Sequence, residues 1–143
     1  MDRIDKILNH DLFLYHLGRN NAAEADRRFC RHGMVHFLDV ARIGTIIALE
    51  EGLKIDREWI YAAALLHDCG KHEQYENGIL HEQASARIAP EILKTCGFND
   101  EETGVIVTAI SRHRDPEAAK EKNLNGILYR ADKASRACFA CDV

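Results

Sequence analysis

The chain has 143 residues, enough to bury the core of one domain. Hydrophobic residues make up 46% of it and charged residues 29%, the balance of an ordinary globular protein rather than a disordered or membrane-embedded one. The net charge of −4 argues against a nucleic-acid backbone as main partner, because neutralising phosphates needs a basic face. No apolar run approaches a membrane span, and the charged opening Met1-Asp2-Arg3-Ile4-Asp5-Lys6 does not read as a signal peptide. A cytoplasmic chain without a membrane partner is the expectation. In that compartment the five cysteines are reduced thiols or ligands rather than a disulfide framework.

In chain order, Ile4, Ile7, Leu8, Leu12 and Tyr15 fall at helical spacing and predict one helix over 2–18, stopped by Gly18. The polar stretch from Asn20 to Arg31 reads as a solvated face, though its arginines could also hold a phosphate. A helix is predicted from Met34 to Glu51 with Val40, Ile43 and Ile47 on one face. His36 lies on that face, four residues before Val40, and His32 one turn earlier is its rival. Asp56 is a good N-cap for the next helix, which carries the nearly all-apolar run Trp59–Leu66 to His67-Asp68 and stops near Gly70.

A polar loop is expected over 71–78. The helix after it puts His81, Ala84, Ser85 and Ile88 on one face, is kinked or restarted at Pro90, and ends at Gly97. Asn99 with Glu102 forms a capping box for a further helix. On it Val105 or Ile106 shares the inward stripe with Ala109, Ile110 and His113. A short exposed helix starts at Asp115-Pro116. The last helix carries Leu128 and Asp132 four residues apart, a carboxylate on an apolar stripe.

Six titratable residues thus stand on apolar faces or at a buried helix end: His36, His67, Asp68, His81, His113 and Asp132. All are good ligands for a borderline divalent metal, and a helical bundle can bring them to one point in its interior. Each alone is more readily a satisfied core group; six together point to a metal site.

Three segments in this order, His36-(three residues)-Val40-Ala41, Leu65-Leu66-His67-Asp68-Cys69-Gly70-Lys71 and Arg130-Ala131-Asp132-Lys133, resemble the HD domain superfamily of metal-dependent phosphohydrolases. The resemblance implies an all-α helical bundle, one HD domain over 1–143 with its metal-binding core at about 30–136. It implies His36, His67, Asp68 and Asp132 as ligands of one metal. His81 and His113 match the extra histidines of the subgroup that binds two divalent ions (iron, manganese, cobalt, zinc or magnesium), with Asp68 as bridge. The segments around His81 and His113 are similar to bacterial symmetrical diadenosine tetraphosphatases. They depart from cyclic-dinucleotide phosphodiesterases, which would have a histidine where Arg114 stands and a Gly-Tyr-Pro signature. A nearer likeness is to small uncharacterised HD proteins ending in a cysteine pair.

The activity implied is hydrolysis of a phosphate ester or anhydride of a nucleotide or related small molecule by metal-activated water. Asp68 would hold the attacking hydroxide, and Lys71 would neutralise a phosphate oxygen. Arg27, Arg28, Arg112 and Arg114 are weaker candidates for that task, and His72 or Glu73 could supply a proton to the leaving group. The same six ligands permit a di-iron oxygenase, and a non-catalytic nucleotide-binding module is the third reading. Cys138-Phe139-Ala140-Cys141 could be half of a zinc, iron–sulfur or redox site. Cys30, Cys69 and Cys96 do not complete it by spacing, so it reads as incomplete or inert.

Overall fold

The computed structural model describes residues 1–27, 31–136 and 140. Among these the chain is all-α, as expected, and has no strand. The helices are α1 (Asp2–Leu8), α2 (Asp11–Ala23), α3 (Met34–Glu50), α4 (Arg57–Leu66), α5 (Lys71–Asn77), α6 (His81–Thr95), α7 (Asp100–Ser111) and α8 (Leu124–Ala134), with a 3₁₀ helix (Pro116–Lys120) before α8. No helix among the described residues is long and apolar enough to cross a membrane.

Helix α4 is the hub. Asp56 caps its start by accepting from the Glu58 amide at 2.8 Å. Ile60 and the run from Ala62 to Leu66 are buried. The three alanines let neighbours approach closely, and α4 packs against α1, α3, α6, α7 and α8. On α3 the buried positions Phe37, Val40, Ala41, Gly44 and Ala48 form one stripe. A Cβ on Gly44 would meet Ile60 and Ile127 at 3.0 and 3.2 Å, so α3, α4 and α8 share a tight crossing there. Asn99 and Glu102 form the expected capping box. Glu102 also accepts from Arg3 and from Trp59 Nε1, tying α1 and α4 to the start of α7.

Several expectations need correction. The first predicted helix is two, α1 and α2, broken at Asn9-His10, where His10 Nδ1 accepts from the Leu12 amide as an N-cap. Gly18 lies inside α2, with nothing within 4 Å of where its Cβ would stand. The polar segment after it is not simply a solvated face, for Asn20 and Glu24 are buried. The expected loop over 71–78 is helix α5, closed by Gly78 at φ 71°. Helix α6 runs through Pro90 without restarting.

The seam between α2 and α5 is polar. Asn20 donates to the Asp68 backbone carbonyl at 2.8 Å and accepts from the His72 amide at 2.9 Å. His16 Nδ1 and His72 Nε2 share a hydrogen bond of 2.8 Å with the rings stacked. Burial, reinforced by His72, pushes the His16 pKa down to about 4.

At Gly70 the turn after α4 presses on α6: a Cβ would stand 2.7 Å from both Ala84 Cβ and the Ser85 amide. Gly70→Ala is expected to destabilise the fold by about 1–3 kcal/mol, whereas Gly104→Ala, exposed on α7 with open space around it, should stabilise it by about 0.5–1 kcal/mol. Urea denaturation of both variants checks this. Between pH 6.5 and about 4 the unfolded chain binds a proton at His16 that the folded chain refuses. The His16 contribution is therefore complete above pH 6.5 and declines as pH falls to 4. His16→Gln should flatten the midpoint-against-pH curve in that window, by on the order of 2 kcal/mol.

Candidate metal centre

The last carbonyls of a helix have no partner within it. At the end of α4, His67 Nδ1–H donates to Ala64 O at 2.6 Å. Just past the end of α7, His113 Nδ1–H donates to Ile110 O at 2.7 Å. Each ring caps its own helix and so turns its Nε2 lone pair into the bundle. His81, the first residue of α6, reaches the same state through Gln74. Gln74 Oε1 accepts from the His81 amide at 3.0 Å and from Nδ1 at 2.6 Å.

Helices α3 and α8 bring His36 and Asp132 to the same point. His36 Nε2 and His67 Nε2 stand 3.3 Å apart. Asp68 Oδ2 lies 3.2 and 3.1 Å from these two nitrogens, and Asp132 Oδ1 3.2 and 3.4 Å from them. The other Asp68 oxygen, Oδ1, is 3.5 Å from His81 Nε2 and 3.4 Å from His113 Nε2. The six predicted ligands thus form two clusters, His36-His67-Asp68-Asp132 and Asp68-His81-His113, each able to hold a metal ion. Asp68 belongs to both.

The donor chemistry fits divalent ions. His81 Nε2 and His113 Nε2 face each other at 3.1 Å with both Nδ1 protons already committed. Two opposed lone pairs at that distance are relieved by a cation between or beside them. Ligands held about 2.1 Å from an ion at right angles stand about 3 Å apart, close to the spacing found. Asp132 Oδ1 is buried yet accepts no hydrogen bond of good geometry, although His36 Nε2 is near. Electrostatics agree. Burial opposes charge on His67, but Asp68 and Asp132 outweigh it and lift its pKa well above the ordinary value. Burial also works against ionised Asp68 and Asp132, and the imidazoles hold both well below the usual carboxylate range. Burial, with help from Lys71 and His113, pushes His81 down to about 3, leaving its lone pair free near neutrality.

A cavity of about 180 Å³ opens above the clusters, reaching Asp68, His81 and Asp132. Its rim carries Arg27, Lys71, Arg114 and Arg136, together with His32 and Gln74. Lys71 Nζ lies 3.4 Å from His81 Nδ1. One of the arginine expectations does not carry over, and another falls on a residue that is not described. Arg112 pairs with Asp115 at 3.1 Å and Glu121 at 2.5 Å and does not line the cavity; Arg28 lies outside the described residues. Neither His72 nor Glu73 reaches the cavity, because His72 bonds His16 and Glu73 pairs with Arg87. Cys30, Cys138 and Cys141 also lie outside the described residues. Burial pushes the Cys69 thiol up to about 12, which removes it as a nucleophile.

Three cavity residues escape sequence reasoning: Arg136, Gln74 and His32 as a lining group rather than a ligand. His32 Nδ1 is bound to buried Glu24 at 2.5 Å. Burial resists ionising Glu24, but bonds from His32 and Tyr75 overcome it and bring its pKa down to about 2. The one-turn spacing of His32 and His36 is the signal that both face one region.

The HD domain profile matches residues 33–137. Over 141 residues, 99% of this chain and 88% of the relative, the sequence is 49% identical to an uncharacterized protein of Clostridium beijerinckii. The fold is similar to the crystal structure of a predicted HD superfamily hydrolase from an uncultured Thermotogales bacterium. That match has a TM-score of 0.65 and 28% identity, and covers 84% of this chain and 66% of the other, so this chain spans just under two thirds of that protein.

Because Asp68 offers one oxygen to each cluster, Asp68→Ala is expected to lose both ions, whereas His113→Ala should lose one and keep the other. Elemental analysis of protein reloaded with manganese, with two ions per chain in the parent, checks this.

Proposed function

This chain belongs to the HD domain family, and we propose that it is a metal-dependent phosphohydrolase acting on a phosphate ester or anhydride of a nucleotide or related small molecule. The observation that carries the reading is the placement of two ligand clusters, joined by Asp68, directly beneath a cavity rimmed with cations. A site that only bound a nucleotide would not need two such clusters. An oxygenase would not need that many positive charges around its opening.

When bound, divalent ions supply a water of lowered pKa and positive charge against phosphoryl oxygens. His36, His67, Asp68 and Asp132 would hold one ion, and Asp68, His81 and His113 the other. The chain's own residues do the rest. Lys71, Arg114 and Arg136 present donors to the non-bridging oxygens and neutralise charge as the phosphoryl group is transferred. Gln74 keeps His81 in the tautomer that a ligand needs. The Asn20 bond to the Asp68 carbonyl and the Gly70 N–H bond to Ser85 Oγ at 2.9 Å fix the turn that carries the bridging carboxylate.

Protein stripped and reloaded anaerobically with manganese, iron, cobalt or zinc is expected to release phosphate from at least one member of a panel. The panel holds nucleotides, dinucleoside polyphosphates and chromogenic phosphate mono- and diesters. Asp68→Ala should abolish release, and Lys71→Ala should raise KM by about tenfold, the loss of one charge-assisted contact. No release from any loaded form, with oxygen uptake by the iron form instead, would overturn the reading.

A further inference from the structure

We propose that the outer face of α3 is a self-association surface, on which a second copy of this chain docks with its own α3 running antiparallel. The buried positions of α3, from Phe37 to Ala48, face inward toward α4 and α8. On the opposite side Val35, Asp39, Arg42, Ile46 and Leu49 recur at alternating steps of four and three residues. That is the spacing of a seam along which one helix packs on another. Val35 and Leu49 are 77% and 76% exposed, the highest values among the large hydrophobic residues described, and Ile46 is 52% exposed. Exposed apolar side chains are ordinary when scattered. Here three of them lie in one line on a helix of 17 residues, about 25 Å long.

The two charges within the line identify the occupant. Neither the Asp39 carboxylate nor the Arg42 guanidinium has a hydrogen bond or ion pair among the described residues. In a parallel, in-register pair of α3 helices each charge would meet its own kind, which is repulsive. In an antiparallel pair, with a two-fold axis at the height of the Val40–Ala41 peptide bond, Asp39 of each copy stands opposite Arg42 of the other. The same register sets Val35 of each copy opposite Ile46 of the other. Leu49 then lies beside the amino-terminal end of the other copy's α3. Charge meets opposite charge and apolar meets apolar, twice over, and such self-complementarity is what a two-fold interface requires. One helix pair covers less area than a permanent interface does, so the dimer is expected to dissociate at micromolar concentration, with a Kd on the order of 10 µM.

Sedimentation velocity over about 1–200 µM protein brackets that constant and tests the proposal. The parent should pass from monomer to dimer as concentration rises. Ile46→Asp, which enters a two-fold interface twice, should raise Kd by about 100-fold or more. Asp39→Arg and Arg42→Asp should each raise it by about tenfold or more, because like charges then meet twice. Mixed in equal amounts, these two single variants should form a heterodimer at least as tight as the parent dimer, since one copy now carries two arginines and the other two aspartates. Asp39→Arg and Arg42→Asp combined in one chain should restore self-association to the parent value. Circular dichroism confirms that each variant, altered only on the outer face, is folded. A parent that is monomeric throughout overturns the proposal and gives the face to a different partner. A dimer that neither Ile46→Asp nor the charge reversals weaken overturns it by moving the interface elsewhere, and a mixture that fails to recover association overturns the antiparallel register on which it rests.

Discussion

A carboxylate that is only 2% exposed must be compensated, and in this molecule the compensation of Asp68 brings the whole bundle to a point. Its two oxygens face in different directions, one toward α3 and α8, the other toward α6 and the end of α7. No two of these helices could withdraw without stranding either the carboxylate or a histidine. Neighbouring residues on a helix point about 100° apart, so His67 and Asp68 can converge only where α4 stops. The stop is therefore part of the site. The Ala62–Ala64 run buries it, Gly70 lets α6 press against it, and Asn20 anchors its carbonyl.

The helix ends do two tasks with one bond. His67 and His113 bond carbonyls at the ends of their own helices, and the same bonds select the tautomer that faces inward. Lost folding contacts and lost ligand orientation are thus one event at these positions. The polar seam of Asn20, His16 and His72 extends this coupling to α2, so the amino-terminal helices support the site without lining it.

Much of this is visible in the residues themselves. His36, Asp132 and His81 sit on apolar stripes that make them conspicuous, and the capping box at Asn99 announces α7. Other features carry no local signature. Helix α5, Lys-His-Glu-Gln-Tyr-Glu-Asn, has almost no apolar residue because its inward contacts are hydrogen bonds to Asn20, Glu24, His16 and His81. Hydrophobic periodicity has nothing to register there. Glu24 looks solvated because its partners, Tyr75 above all, are far away in sequence. The break between α1 and α2 rests on a histidine N-cap, a residue with little prior for that place, while Gly18 looks like a stop and is tolerated inside α2.

Helix α5 also concentrates, in under two turns, the cation Lys71, the amide of Gln74 that steadies His81, and the hydroxyl of Tyr75 that steadies Glu24. It is bounded by glycines at both ends, Gly70 and Gly78, and supplies none of the six metal ligands. A change in this one short segment would therefore be felt twice, in the charge that lines the cavity and, through Gln74, in the orientation of a metal ligand.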